Sequence, residues 1–181
     1  MIMKKITLLF LIFVSYTTSA QEKMITDKGI INFEASVPFF EEVKATNEKT
    51  TCVLVIKTGE ITCLVYIKKF LFERSLMQEH FNKNYLESDR YPKAIFKGII
   101  EKFDLKNIDS NQKEYLIKGN ITIHGKSKKI MIYGTIKKLG EGIEFISNFP
   151  LNTDDFGIKI PYIVRSKIAK NVNTQIACVL Q

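Results

Sequence analysis

Along the second half of the chain, apolar and polar side chains alternate with a period of two. Tyr115, Ile117, Gly119, Ile121 and Ile123 fall on one face, and Leu116, Lys118, Asn120 and Thr122 on the other. Residues 143–149 repeat the pattern with Ile143, Phe145, Ser147 and Phe149. Residues 172–180 repeat it with Val172, Thr174, Ile176, Cys178 and Leu180. Such alternation marks strands with one dry and one wet face. Cys52 to Ile56 and most of Ile61 to Ile67 are apolar on both faces. Those two strands are expected to be covered outside as well, by a helix or a second copy. The pattern predicts eight strands, over 29–37, 50–57, 60–70, 93–104, 113–124, 128–138, 142–150 and 171–180. Turn residues separate several of them: Thr58-Gly59, Asp109-Ser110-Asn111, Gly125-Lys126-Ser127 and Gly140-Glu141-Gly142. Short loops between consecutive strands imply an antiparallel meander. Eight such strands most simply close into an all-β barrel, with a two-sheet sandwich as the alternative.

Three stretches interrupt this rhythm. Residues 38–46 (PFFEEVKAT) open with Pro38 at a helix-start position and predict a helical turn. Residues 73–87 predict an amphipathic helix, with Leu76, Met77, His80 and Phe81 sharing a face. Residues 161–170 repeat the device with Pro161, Val164 and Ile168. Short helices packing at the mouth and side of the barrel follow from these. Gly98, Gly119 and Gly134 fall inside strands, where glycine marks close approach by a ligand or backbone, or a bend that closes the barrel.

The N-terminus adds a compartment. Lys4 and Lys5 precede Ile6 to Val14, apolar but for Thr7, and a small-residue exit ending at Ala20. A basic start, a short apolar core and that exit predict a signal peptide over 1–20 and export, periplasmic or secreted. The apolar stretch is short of the about 20 residues that span a bilayer. Residues 21–181 then suffice for one domain with its own core. The net charge is +8, two of those charges lying in the leader. The basic residues are dispersed as Lys-rich turns and carry no recognition motif, so nucleic acid is not an expected partner. Three cysteines cannot all pair. With Lys57 facing Glu60, Cys52 and Cys63 become diagonal neighbours, and a bridge would need a bulge. Small buried thiols are the expectation.

Candidate chemistry concentrates in residues 76–98, a dense set of bulky apolar side chains that suits a lid or wall around an apolar molecule. The wall is expected to include Phe70, Phe72, Leu76, Met77, Phe81, Phe96, Ile121, Ile123, Phe145 and Phe149. Asn82, Asn84 and Ser88 have two readings: they satisfy helix and loop backbone groups, or they meet a ligand headgroup at the mouth. Lys126, Lys128 and Lys129 form a basic turn, either a solvated loop or an attraction for a diphosphate or an anionic membrane surface. No catalytic residues, cofactor or metal are expected. His80 and His124, the two histidines, lack zinc-site spacing. His80 reads as a core residue of the helix, and His124, beside Gly125, as a partner for its own turn. Asp154-Asp155 reads as loop chemistry, and no nucleophile-elbow sequence occurs.

Four blocks carry a family resemblance: 38–47 (PFFEEVKATN), 76–98 (the HFN-x-NY…S-x-x-YP-x-A-x-F-x-G order), 119–125 (GNITIHG) and 155–172 (DFGIKIPYIVRSKIAKNV). In this order they resemble the YceI-like family of exported lipid-binding proteins across nearly all of residues 21–181. Asn120-Ile121 departs from the family's usual pair ending in Leu. The resemblance implies a lipocalin-like eight-stranded antiparallel barrel with a polyisoprenoid, a quinone or a prenyl phosphate, in its interior. It also implies export and, in some members, a homodimer. The alternatives are an enzyme acting on such a lipid and a packed, ligand-free interaction module.

Overall fold

The computed structural model describes residues 22–181. The signal peptide expected over 1–20 and the start at Gln21 lie outside the described residues. Eight strands follow one another: β1 (Lys23–Glu34), β2 (Lys44–Val55), β3 (Glu60–Tyr66), β4 (Lys93–Ile100), β5 (Lys113–Ile123), β6 (Lys126–Leu139), β7 (Gly142–Asn152) and β8 (Asn171–Leu180). Each pairs antiparallel with its neighbours, and β1 pairs with β8, so the sheet closes into the expected all-β barrel. The alternating residues of β5, β7 and β8 turn their apolar faces inward, where Ile117, Ile143, Phe145 and Leu180 are almost fully buried.

The differences from expectation have local causes. β1 and β2 both start six residues earlier than the apolar pattern suggested. Lys44, Ala45 and Thr46 find ladder partners in Glu34, Phe33 and Asn32, so strand pairing overrides the helical start at Pro38. Two register shifts interrupt this pair. Thr26 faces Cys52 but Gly29 faces Thr50, leaving an extra residue on β1; Ile31 then faces Asn47, leaving one on β2. Such bulges break the alternation that sequence reading relies on, and they add the twist and bend that closure needs. The helix expected over 73–87 is shorter: α1 (Ser75–His80) gives way to a π turn over Phe81–Tyr85. Residues 161–170 hold a single 3₁₀ turn, Tyr162–Val164. α1 lies at the mouth, so it does not cover the outward faces of β2 and β3, where Val53, Thr62 and Leu64 are half-buried.

The cysteine register is corrected as well. Val55 pairs with Glu60 across a four-residue turn, which places Cys52 directly opposite Cys63. All three cysteines are free and buried. A hydrogen bond with Cys52, together with burial, pushes the Cys178 thiol far above its ordinary range. The thiolate is the reactive form. Because all three thiols are buried, none is expected to react with a water-soluble maleimide in the native protein at neutral pH, and all three react in guanidinium. Mass spectrometry of the two samples checks this; rapid native labelling would contradict it.

The interior divides along its length. One end is filled by Met24, Leu54, Ile61, Ile100, Ile117, Ile136, Ile143 and Leu180, with Phe103 and Ile108 from the β4–β5 loop packed against them. Around the other end a second cluster forms from Val65, Ile67, Phe70, Leu86, Phe156 and Ile158. Phe96, Ile130, Phe149 and Ile31 touch both clusters.

Candidate functional site

Above that floor the barrel is hollow. A cavity of about 440 Å³ runs from Ile132, Phe145 and Ile176 on the closed side to α1 and residues 158–169 on the open side. That volume lies in the range of small-molecule sites. Eight-stranded barrels stand at the limit between a filled interior and room for one ligand. This one is filled at one end and open at the other.

Strand alternation supplies the wall. Ile31 and Phe33 of β1, Cys63 and Val65 of β3, Ala94 and Phe96 of β4, and Ile121 and Ile123 of β5 all line the cavity. Ala94 directly faces Val65 across the β3–β4 ladder. Glycines keep the wall thin. Gly98 and Gly119 face each other in the β4–β5 ladder. A Cβ on either would meet the Phe96 ring, at 2.7 and 2.9 Å respectively. A Cβ on Gly134 would meet the Phe145 ring at 2.5 Å. At Gly119 backbone comes nearer still, the Lys97 carbonyl oxygen at 2.4 Å, which is the close backbone approach expected from sequence; at all three glycines the missing Cβ also leaves a seat for a neighbouring aromatic ring.

At the mouth, four phenylalanines pack together. Phe33 stacks on Phe81 at 5.3 Å between centroids and meets Phe70 edge-on at 5.3 Å. Phe72 lies 5.0 Å from Phe81. The π turn helps to build this group. The Leu86 N–H donates to the Phe81 carbonyl five residues back, at 2.9 Å. With that wider turn, Phe81, Tyr85 and Leu86 all reach the cavity. π turns recur at functional sites.

All ten apolar positions singled out from sequence lie on this wall: Phe70, Phe72, Leu76, Met77, Phe81, Phe96, Ile121, Ile123, Phe145 and Phe149. The three headgroup candidates do not. Asn82 donates through Nδ2 to the Gln78 carbonyl at 2.9 Å, satisfying a helix-end group. Asn84 is exposed and off the wall. Lys126 lies against Gly157, and Lys128 pairs with Asp155, so the basic turn is engaged with residues 153–157. The polar side chains that do line the cavity are Glu41, His80, Asn152, Thr153, Lys167 and Thr174. His80 is exposed at the mouth, not a core residue. Tyr85, one of the bulky side chains of the 76–98 stretch, also lines the cavity; sequence reading missed Phe33, Phe156, Ile158 and Ile160. Phe33 could have been found from its alternation with Ile31. The others lie on irregular backbone, where no period betrays an inward face.

His124 serves segments other than its own turn. Its Nδ1 lies 3.2 Å from the Phe156 carbonyl and its Nε2 3.1 Å from a Glu87 carboxylate oxygen. The Tyr91 ring meets it edge-on at 4.6 Å. His124 therefore ties the β5–β6 turn to the loop after the π turn and to the segment holding Phe156, a cavity residue. Replacing His124 with alanine should cost about 2 kcal/mol of stability, because partly buried acceptors lose their donor. Urea unfolding checks this, and an unchanged midpoint would contradict it.

A closed antiparallel barrel with an apolar, end-opening cavity defines a lipocalin-like fold. The family model for the YceI-like domain matches residues 17–180, and the chain belongs to that family. No curated protein sequence matches it. Among solved structures, the chain is similar to a polyisoprenoid-binding domain from Saccharophagus degradans implicated in plant cell wall breakdown. The TM-score is 0.75 at 12% identity, covering 88% of this chain and 97% of that one. It is also similar to Burkholderia cenocepacia BcnA, with a TM-score of 0.64 at 15% identity, covering 85% and 96% of the two chains. Campylobacter jejuni YceI protein follows, with a TM-score of 0.58 at 19% identity, covering 77% and 85%. At these identities the likeness is one of fold.

Proposed function

We propose that the protein is an exported carrier or reservoir for a long apolar lipid of the polyisoprenoid class, held tail-first in the barrel. The observation that carries this reading is the cavity: open at one end, with Glu41 and Lys167 the only lining residues of fixed charge among the described residues, both at the mouth. Family membership and the description of the Saccharophagus degradans domain support the choice of lipid. The leader-like pattern of residues 1–20 supports export.

The physics needs no dedicated hydrogen bond. Burial contributes roughly 25 cal/mol per Å² of apolar surface. A tail burying about 500 Å² gains on the order of 12 kcal/mol before the costs of association. Floppy isoprenoid units can follow a wall of Ile, Phe and Met side chains, which favours shape over a sharp polar motif. The polar end would remain at the mouth, near His80 and Lys167.

Organic extraction of freshly purified protein, followed by mass spectrometry, tests the reading. The expected result is an isoprenoid lipid approaching one per chain, recovered unchanged after incubation with fresh protein. An extract without lipid would favour a packed interaction module. A modified lipid would favour an enzyme.

A further inference from the structure

Three segments form a collar around the mouth: residues 36–43, 71–80 and 158–170. Each sends side chains into the cavity, among them Val43, Met77 and Val164. Each also turns large apolar side chains outward. Phe39 is 104% exposed, Tyr162 85% and Ile163 84%, with Leu71 and Leu76 also exposed. Single exposed apolar residues on a protein surface are ordinary. Here they share one rim, because the segments are joined. Arg74 pairs with Glu41, the Lys167 ammonium lies 6.0 Å from the Phe40 ring centroid, and the Ala169 N–H donates to the Ala35 carbonyl at 2.8 Å.

The positive charge of this rim is gathered on one of its three segments; the other two carry Glu41, Glu42, Glu73 and Glu79 against Arg74. Residues 158–170 hold Lys159, Arg165, Lys167 and Lys170 and no acidic residue. Of the four, only Lys170 has a carboxylate partner among the described residues, Asp154 at 2.6 Å. Apolar tips beside uncompensated cations suit the boundary between headgroups and acyl chains of an anionic bilayer. Among the described residues no helix is long and apolar enough to cross a membrane.

We propose that the mouth collar docks on the surface of an anionic lipid bilayer. Tyr162, Ile163 and Phe39 enter the interface, and Lys159 and Arg165 meet the lipid phosphates. Docked in this way, the cavity opens at the depth of the acyl chains, and a tail passes between bilayer and barrel without crossing water. The purpose of the collar rests on the lipid-carrier reading above; its existence as a membrane surface does not.

Flotation with vesicles of mixed phosphatidylglycerol and phosphatidylcholine, against pure phosphatidylcholine, tests it with the full mature chain. The wild type is expected to float with the mixed vesicles and to be released by high salt. Tyr162→Ser combined with Ile163→Ser should weaken binding about tenfold or more. Arg165→Gln should weaken it about fivefold. None of these residues lines the cavity, so both variants should keep the wild-type circular dichroism and extracted lipid. Failure of the wild type to float, or flotation of the variants as strong as that of the wild type, would overturn the proposal. A dimer in light scattering that the double variant dissolves would also overturn it, assigning the collar to a second copy. Lipid in the extract without flotation sinks the collar alone; flotation without lipid supports the collar and sinks the carrier reading.

Discussion

Replacing Ala94 with phenylalanine is expected to empty the barrel of lipid while leaving it folded. Ala94 is buried, points inward from β4 and lines the cavity opposite Val65. A phenyl group added there enters space that already exists. Overpacking a filled core costs typically 1–3 kcal/mol, because neighbours are forced from their rotamers. Filling a void escapes most of that penalty and adds dispersion contacts. Stability should therefore stay within about 1 kcal/mol of the wild type. Lipid recovered per chain should fall about tenfold or more, because the ring takes the volume and apolar wall that the tail used. Urea unfolding and quantified extraction, run on the same preparation, check both halves. A destabilised barrel that still carries lipid would show that the cavity is not the binding site.

The second large effect concerns the thin wall. Gly119→Ala should destabilise the protein by about 3 kcal/mol. A Cβ at Gly119 would stand 2.4 Å from the Lys97 carbonyl oxygen, 2.6 Å from the Gly98 Cα and 2.9 Å from the Phe96 ring. Two of these neighbours are backbone, so β4 and β5 must separate to admit a methyl group. Relief by tilting Phe96 would push its ring into the cavity, so the variant should also lose lipid. Gly140→Ala is the control. Nothing lies within 4 Å of that Cβ, and only the left-handed backbone at φ +59° resists it. Its cost should be about 1 kcal/mol. Equal urea midpoints for the two variants would contradict the packing account.

The fold was legible wherever alternation is regular. β5, β7 and β8 present their apolar faces inward as Ile117, Phe145 and Leu180 required, and short turns implied the meander. Legibility failed where the ladder carries extra residues. The bulges near Asp27-Lys28 and Glu48-Lys49 shift the face that points inward, so the polar starts of β1 and β2 looked like loops. It failed again at Cys52 and Cys63, because a turn of four residues rather than two sets their register.

The cavity wall was more legible than its mouth, and for a physical reason. An apolar wall is built from the same inward alternation that builds a core, so Phe96, Ile121 and Ile123 could be chosen from period alone. Most polar groups at the mouth sit on irregular backbone or at the end of the short α1, where no long period shows which way a residue points. Asn82 was thus taken by the Gln78 carbonyl and Lys126 by the 153–157 segment, while Lys167 and His80 reached the rim. Phe156 and Ile158 escaped notice for the same reason, although the segment that carries them is held by His124.

A crystal structure of the protein purified with its endogenous lipid tests the central claim most directly. The account predicts continuous elongated density that starts near His80 and Lys167, passes the four mouth phenylalanines and ends against Ile132 and Phe145. A lumen closed by inward collapse of Phe33, Phe81 and Phe96, with the lipid absent or bound outside the barrel, would contradict it.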